Sequence, residues 1–308
     1  MKKHNLIITG ALGHIGSYFI HNSKFNNFKK IILIDNLSTQ RYCSLFNLKN
    51  NRIEFIDFDI VNYSIEKYFN RYDTVIHLAA ITDAQSSINK YKEVEKNNYL
   101  GTKNVIKICI KKKCKLIFPS TTSVYGSQDN LVDENCPKSD LKPQSPYAFF
   151  KLKSEEMLLR YSKNTDLKFI IIRLGTIFGI SKGMRFHTAI NKFCWQASNN
   201  MPVTVWKTAY NQKRPYLDIK DSLKFIEFVL KKNMFDSQIY NLLTINSNVK
   251  TIVEIIKKYK PRLKVKFVNS KIMNQLSYEV SVEKIKHKGF KVKGSLDESI
   301  QETLELLK

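Results

Sequence analysis

Acidic side chains are scarce in this chain of 308 residues. Against 51 Lys and Arg stand only 27 Asp and Glu, which leaves a formal charge of +24. Cysteine is sparse and scattered: Cys43, Cys109, Cys114, Cys136 and Cys194 form no C-x-x-C pair. An odd, dispersed set in a chain this long argues against a disulfide framework and for reduced thiols, so a cytoplasmic location is expected. No metal site is expected either. No apolar run is long enough to cross a bilayer. The start, Met1-Lys2-Lys3-His4-Asn5, runs into a strand-like Leu6-Ile7-Ile8 without a secretory apolar region and cleavage site. No internal repeat, low-complexity tract or flexible linker interrupts the chain. The excess positive charge is spread along the sequence as lysine. Clusters such as Lys111-Lys112-Lys113 sit at a helix end, where cations suit the helix dipole. We therefore read it as a lysine-biased solvated surface with mild steering of an anionic substrate, and expect neither a nucleic-acid nor a membrane partner.

What is present describes a globular protein with a substantial core: 43% apolar residues, with 19 Phe and 15 Tyr. Residues 5–9 read as a buried strand. Gly10-Ala-Leu-Gly13-His-Ile-Gly16 follows, then a helix through about Ser23. Strand, tight turn and helix N-terminus are the context in which such glycines let a backbone approach a pyrophosphate. The next strand, Lys30 to Ile34, ends in Asp35. An acid at that distance binds the adenosine ribose through both hydroxyls and disfavours a 2′-phosphate, so NAD is expected over NADP.

The alternation continues. Strands are expected at Ile53–Ile56 (leading to Asp59-Ile60), Asp73–Leu78 (running into Ala79-Ala80), Lys115–Phe118 (ending at Ser120-Thr121) and Lys168–Arg173. Helices are expected over Asn98–Lys112 and Tyr147–Lys163. Strands separated by helix-length segments imply an α/β fold of Rossmann type: a doubly wound parallel sheet whose ligands bind beyond the strands' carboxyl ends. After Gly179 the rhythm loosens. A helix is read over Met184–Ser198, strands at Pro202–Trp206, Gln212–Asp218, Gln238–Leu242 and Leu263–Val268, and helices over Leu223–Lys231 and Val249–Lys258. A capping box at Ser295–Glu298 opens the last helix. The expected division is 1–178 for the cofactor domain and 179–308 for a smaller α/β substrate lobe, with part of 212–245 returning to the first layer.

One stretch carries chemistry. In Ser145-Pro146-Tyr147-Ala-Phe-Phe-Lys151, Ser145 is placed to cap a helix and Pro146 to fill its first position. Tyr147 and Lys151 then lie one turn apart on one face. A free tyrosine, with a pKa of about 10, is a poor base near neutrality. A neighbouring ammonium favours the phenolate, and Lys151 is placed to supply it. Thr121, at a strand end, is placed to hydrogen-bond the hydroxyl that Tyr147 deprotonates.

Taken together, Thr9-Gly-Ala-Leu-Gly-His-Ile-Gly16, Asp35-Asn-Leu-Ser-Thr39, Asp59-Ile60, His77-Leu-Ala-Ala80, Asn98-Tyr-Leu-Gly-Thr102, Ser120-Thr-Thr-Ser-Val-Tyr-Gly126, Tyr147-x-x-x-Lys151 and Arg173-x-x-x-x-Phe-Gly179 resemble the extended short-chain dehydrogenase/reductase family, in its nucleotide-sugar epimerase/dehydratase branch. The resemblance covers nearly the whole chain. It implies that Gly10, Gly13 and Gly16, with His14 and Ile15 between and beside them, hold the NAD diphosphate. Asp35, Asn36 and Ser38 would meet the adenosine ribose, and Asp59 and Ile60 the adenine. Leu78, Ala79 and Ala80, backed by Asn98, would line the nicotinamide side. Thr121, Tyr147 and Lys151 would be the catalytic set. Arg214 matches an arginine on the sugar-nucleotide diphosphate, with Lys271 a loose candidate for a second cation. Trp206 lies where a ring packs on the base, and Thr122 lies beside the sugar. His77 is read as structural.

Departures narrow the reaction. Where 4,6-dehydratases of this family carry Asp-Glu after the catalytic Thr, this chain has Thr122-Ser123, so dehydration lacks its acid and base. Thr176 stands where the family has a substrate-contacting Asn, and Arg185 stands near another. The resemblance thus implies an NAD-dependent nucleotide-sugar 4-epimerase acting through a transient 4-keto sugar, in surface-polysaccharide or activated-sugar biosynthesis. The alternatives are a net 4-oxidation or 4-keto reduction and, less, a catalytically idle NAD-binding protein. A homodimer is expected, pairing residues 98–112 and 147–163.

Overall fold

A computed structural model describes residues 4–128, 130–269 and 277–308. The first half runs β1 (Leu6–Thr9), α1 (His14–Asn22), β2 (Ile31–Asp35), β3 (Ile53–Asp57) and β4 (Thr74–His77). A long helical rod follows, made of α2 (Tyr91–Val94), a π-helical segment over Glu95–Gly101 and α3 (Thr102–Lys112). Next come β5 (Lys115–Thr121), α4 (Pro146–Ser162) and β6 (Lys168–Leu174). The second half holds β7 (Thr176–Phe178), α5 (Ala189–Ser198), β8 (Val203–Trp206), β9 (Arg214–Asp218), α6 (Ile219–Lys232), β10 (Ile239–Leu242), β11 (Ile245–Ser247), α7 (Val249–Tyr259), β12 (Val265–Val268), α8 (Glu283–His287) and α9 (Leu296–Leu306).

Seven parallel strands form the main sheet in the order β10-β6-β5-β4-β1-β2-β3. The central strands read Leu-Ile-Ile, Ile-Ile-Leu-Ile and Phe-Ile-Ile-Ile because both of their faces are covered. One apolar layer includes Leu6, Ile8, Phe19, Leu33, Phe225 and Tyr240. The other includes Ile7, Ile34, Val105, Ile108, Phe169 and Leu158. The chain reverses its direction of growth between β1 and β4, which opens a crevice at their carboxyl ends. The C-terminal half builds a three-stranded sheet, β11-β9-β7, and a parallel pair, β12-β8. These pack with α5, α7 and α9 around Phe178, Phe193, Tyr216, Ile252 and Ile300. β10 crosses back to become the edge of the main sheet beside β6.

Local chemistry sets several helix ends. Ser145 Oγ accepts from the Ala148 N–H at 3.2 Å, with Pro146 at the first position of α4. Ser295 Oγ accepts from the Glu298 N–H at 3.3 Å and opens α9. Two expectations change. The helix expected from Asn98 extends back to Tyr91 through the π-helical segment, a distortion that carries Asn98 itself. The helix expected from Met184 starts only at Ala189. Residues before it are held out of helical register. Asn191 Nδ2 donates to the Arg185 carbonyl at 3.1 Å, and its Oδ1 accepts from the Gly179 N–H at 3.1 Å. Gly183 lies so close to the loop after β1 that a Cβ there would fall 2.4 Å from the Leu12 carbonyl oxygen.

A buried ion pair joins α4 to the sheet. Arg173 Nη2 donates to Glu155 Oε2 at 2.7 Å and Arg173 Nε to Glu155 Oε1 at 3.1 Å. The Ser120 hydroxyl donates to the same carboxylate. The guanidinium carbon lies 4.8 Å over the centroid of the Tyr125 ring. Glu155→Ala leaves the Arg173 charge buried and unpaired. We expect a loss of about 3–5 kcal/mol in urea unfolding; a loss below about 1 kcal/mol counts against this account of how α4 is held.

Candidate active site

The β1–α1 turn is pressed into the crevice. Gly10 has φ +66°, and a Cβ there would come within 2.4 Å of the Ala79 backbone nitrogen, so the turn after β1 touches the end of β4 directly. Gly13 sits at the N-cap of α1 and offers no side-chain cap. Its first-turn N–H groups thus meet no capping side chain, which is the arrangement that suits an anionic diphosphate. Gly16 packs on the Ala11 backbone, where a Cβ would fall 2.5 Å from the carbonyl oxygen. The side chains of His14 and Ile15 turn elsewhere. Ile15 packs on the apolar core. His14 Nε2 donates to the Gly179 carbonyl at 3.0 Å, and burial, followed by the nearby Arg185 charge, brings its pKa down to about 3. His14 is therefore a neutral tie between α1 and β7, and only its backbone faces the turn.

Asp35 closes β2. Its carboxylate accepts from the Leu12 N–H at 3.1 Å and the Leu37 N–H at 3.0 Å, and burial raises its pKa against those bonds. Asn36 and Ser38 are exposed beside it, and Asn36 Nδ2 donates to Asp59 at 3.4 Å. Asp59 also caps the Val61 N–H at 2.9 Å, and Ile60 packs under Gly101. Leu78, Ala79 and Ala80 follow β4, half-buried. Asn98 pins the next residue of that segment, exchanging two 2.8 Å bonds with the Ile81 backbone. Behind them His77 bridges Thr9 and Thr102 at 2.7 and 2.9 Å. The Thr102 hydroxyl donates to the Asn98 carbonyl at 2.6 Å, so it accepts from His77 Nε2–H. Nδ1 is then the acceptor of the Thr9 hydroxyl. Burial, followed by the Lys151 charge, brings the His77 pKa to about 3 and keeps it neutral. His77 is structural, as the sequence suggests.

Thr121 and Tyr147 come together across β5 and α4. Thr121 Oγ1 accepts from the Ser123 N–H at 3.2 Å, which leaves its own proton free to be donated toward the crevice. Burial raises the Tyr147 pKa, and the positive group acting against that rise is Arg185. Lys151 is on the same helix face, but its Nζ donates to the Pro119 carbonyl at 2.7 Å and lies 4.6 Å over the Phe118 ring. Burial brings its pKa down to about 7, with Glu155 opposing.

On the other side, the buried Thr122 hydroxyl lies 3.3 Å from both the Leu174 carbonyl and the Tyr278 hydroxyl. Thr176 opens β7, and Arg214 opens β9 opposite Ser247. Arg214 and Tyr278 both act on Tyr216, so β9 and the C-terminal stretch meet beside Thr122. Trp206 lies half-buried in the separate β12-β8 pair, opposite Val268. Lys271 falls outside the described residues. Three residues at the site escaped the sequence reading. Asp83 and Arg41 act electrostatically on Arg185. Their signal was position, since each lies just past the carboxyl end of a parallel strand. Tyr278, 156 residues from Thr122, had none.

The family model described as the NAD dependent epimerase/dehydratase family matches residues 6–242. A dTDP-D-glucose 4,6-dehydratase of Dictyostelium discoideum is 33% identical over 259 residues, covering 77% of this chain and 57% of its own. The uncharacterized UDP-glucose epimerase YtcB of Bacillus subtilis is 29% identical over 237 residues, covering 74% of this chain and 72% of its own. The chain spans about half the length of the curated relatives it matches. The solved UDP-glucuronic acid 4-epimerase of Bacillus cereus, in complex with UDP-glucuronic acid and NAD, aligns with a TM-score of 0.88 at 24% identity, covering 99% of this chain and 100% of its own. A UDP-N-acetylglucosamine 4-epimerase of Methanobrevibacter ruminantium M1 aligns with a TM-score of 0.87 at 23% identity, covering 99% and 98%. Those two likenesses describe the fold, a parallel sheet with the glycine turn at its switch point. Together with the match over residues 6–242, that turn, the acid closing β2 and the Tyr147–Lys151 helix make this chain a member of the NAD dependent epimerase/dehydratase family.

Proposed function

We propose that the chain is an NAD-dependent nucleotide-sugar 4-epimerase that works through a transient 4-keto sugar, in surface-polysaccharide or activated-sugar biosynthesis. The observation that carries the reading is the packing of α4, with Tyr147 and Lys151 on one face, against the carboxyl end of β5 that carries Thr121. Relatives and structural neighbours named as UDP-sugar epimerases support it. The glycine turn and α1 would hold the diphosphate of NAD. Asp35 would hold its ribose, and Leu78–Ala80 would flank the nicotinamide.

In this reading Tyr147, as phenolate, accepts the proton of the sugar 4-hydroxyl while Thr121 holds that oxygen in place. NAD, when bound, supplies the reversible two-electron step at C4, so the hydroxyl carbon becomes a ketone. The keto sugar turns over in the pocket, and Tyr147 returns the proton after reduction on the other face. Arg214 would take the sugar-nucleotide diphosphate with its planar donor fork, and Thr122, Thr176 and Arg185 would border the sugar. Dehydration, the activity named for the Dictyostelium relative, needs an acid and a base that Thr122 and Ser123 do not offer.

Four outcomes test the reading. With a panel of UDP-, GDP- and dTDP-sugars, one 4-epimer pair interconverts without net NAD reduction. Net NADH formation with release of a keto sugar establishes the redox alternative instead, and inertness toward the panel with intact NAD binding fits the idle one. Tyr147→Phe keeps NAD binding but lowers turnover by about 100- to 10,000-fold; near wild-type turnover removes Tyr147 as the base. NDP-glucose gives no 4-keto-6-deoxy product by mass spectrometry, and NAD binds more tightly than NADP because Asp35 opposes a 2′-phosphate. The exposed Tyr91 and Leu100 lie along the helical rod that packs on α4, in keeping with a homodimer through these helices. Sedimentation at micromolar concentration gives the dimer mass, and a monomer refutes it.

A further inference from the structure

We propose that Phe118 is a positioning residue for Lys151: the face of its buried ring is the surface on which the lysine ammonium is held in place and kept in its charged form. The inference rests on the reading of Tyr147 and Lys151 as a catalytic pair. It goes further by naming the group that lets a buried lysine carry charge.

Lys151 is 4% exposed and Phe118 is fully buried. The lysine Nζ lies over the Phe118 ring, 4.6 Å from its centroid. The same Nζ donates to the carbonyl of Pro119, the next residue of β5, at 2.7 Å. Glu155, one turn further along α4, gives its carboxylate to Arg173 and to the Ser120 hydroxyl. The ammonium is therefore held by a ring and a carbonyl of β5. The ring itself is fixed. It belongs to the apolar layer that contains Leu116, Met157 and Leu158. It also stacks on the His77 imidazole, with centroids 6.2 Å apart and planes at 25°. His77 in turn is tied to Thr9 and Thr102. A ring packed between a helix and an anchored imidazole has little freedom to turn its face away.

The physical need for such a surface is plain. Taking an ammonium out of water favours the neutral amine. Burial brings the Lys151 pKa down to about 7, and Glu155 opposes that fall. The negative face of an aromatic ring attracts a cation, more strongly where both are desolvated. A leucine fills similar space without such a face. The titratable groups around Lys151 are few. On its own helix stand Tyr147 one turn before and Glu155 one turn after. β6 contributes Arg173, paired with Glu155 and stacked over Tyr125. β4 contributes His77, which burial keeps neutral with a pKa of about 3. The helical rod meets α4 through Tyr91 and Tyr99 on the Phe150 ring and through the Asn98 carbonyl on the Ser154 hydroxyl. With Lys151 titrating near neutrality, a modest attraction from the ring decides how much of it is charged. The charged form is the one that favours the Tyr147 phenolate.

The test uses the full chain with NAD added and its lysines isotope-labelled at Cε. Nuclear magnetic resonance follows the Lys151 titration as the step that Lys151→Met removes. In Phe118→Leu that step moves to lower pH by about one unit. Mono-, di- and trifluorophenylalanine at position 118 drain the ring face while keeping its packing. They move the step down progressively, and they decide the matter even if Phe118→Leu folds poorly. With the nucleotide-sugar that the panel identifies, the alkaline limb of the pH–rate profile moves down with the step, and a shift of about one unit lowers turnover near pH 7 about fivefold. A Phe118 that merely packs leaves the step in place across the fluorinated series. That result overturns the inference while the reading of Tyr147 and Lys151 stands. If Lys151→Met keeps wild-type turnover, the reading of the pair falls, and the role of Phe118 in catalysis falls with it.

Discussion

The buried pair between Glu155 and Arg173 sets the rotation of α4 about its own axis. Tyr147, Lys151 and Glu155 follow one another at four-residue intervals and so share one helix face. Glu155 is tied by a fork of hydrogen bonds to Arg173 on β6 and by the Ser120 hydroxyl on β5. With that end of the face fixed against two strands, the other end must project over their carboxyl ends, where Thr121 waits. Buried ion pairs are weak sources of net stability, because desolvation offsets attraction. Here the pair is better understood as specifying orientation. It also places a negative charge one turn below Lys151, which opposes the loss of its proton.

A second constraint couples the two halves of the chain. Gly183 and His14 bring the chain after β7 onto the glycine turn, and no larger residue fits at Gly183 without moving the Leu12 backbone. The glycine turn and the segment before α5 are therefore one packed unit. At the carboxyl end of β4 a chain of hydroxyl, imidazole, hydroxyl and amide groups runs from Thr9 through His77 and Thr102 to Asn98. Every member is satisfied, and the π-helical segment is where Asn98 reaches the Ile81 backbone. A buried network of this kind fixes position only when no member is left unpaired.

Much of the frame was written locally. The central β-strands, the glycine turn, Asp35 at the end of β2, the caps at Ser145 and Ser295 and the face shared by Tyr147 and Lys151 all depend on residues a few positions apart. Such signals survive in a sequence because backbone hydrogen bonding, side-chain period and capping are short-range. The excess of lysine, in contrast, says little about any site, since most of it is solvated.

Tertiary structure decided the rest, for a physical reason that recurs. Residues 184–188 carry a helix-compatible pattern, yet anchors at Ser17 and Leu12, far upstream, and at Asn191, inside α5, keep them out of the helix. Lys151 is correctly spaced to sit beside Tyr147, but the Pro119 carbonyl and the Phe118 ring on a neighbouring strand take its ammonium. Tyr278 meets Thr122 only because a distant stretch folds back over β9. The sequence by itself determined which elements form and which hydroxyls reach the crevice. Only the packed structure decided which partners those side chains and their neighbours take, because burial and long-range contacts set that, and neither has a period that can be read along the chain.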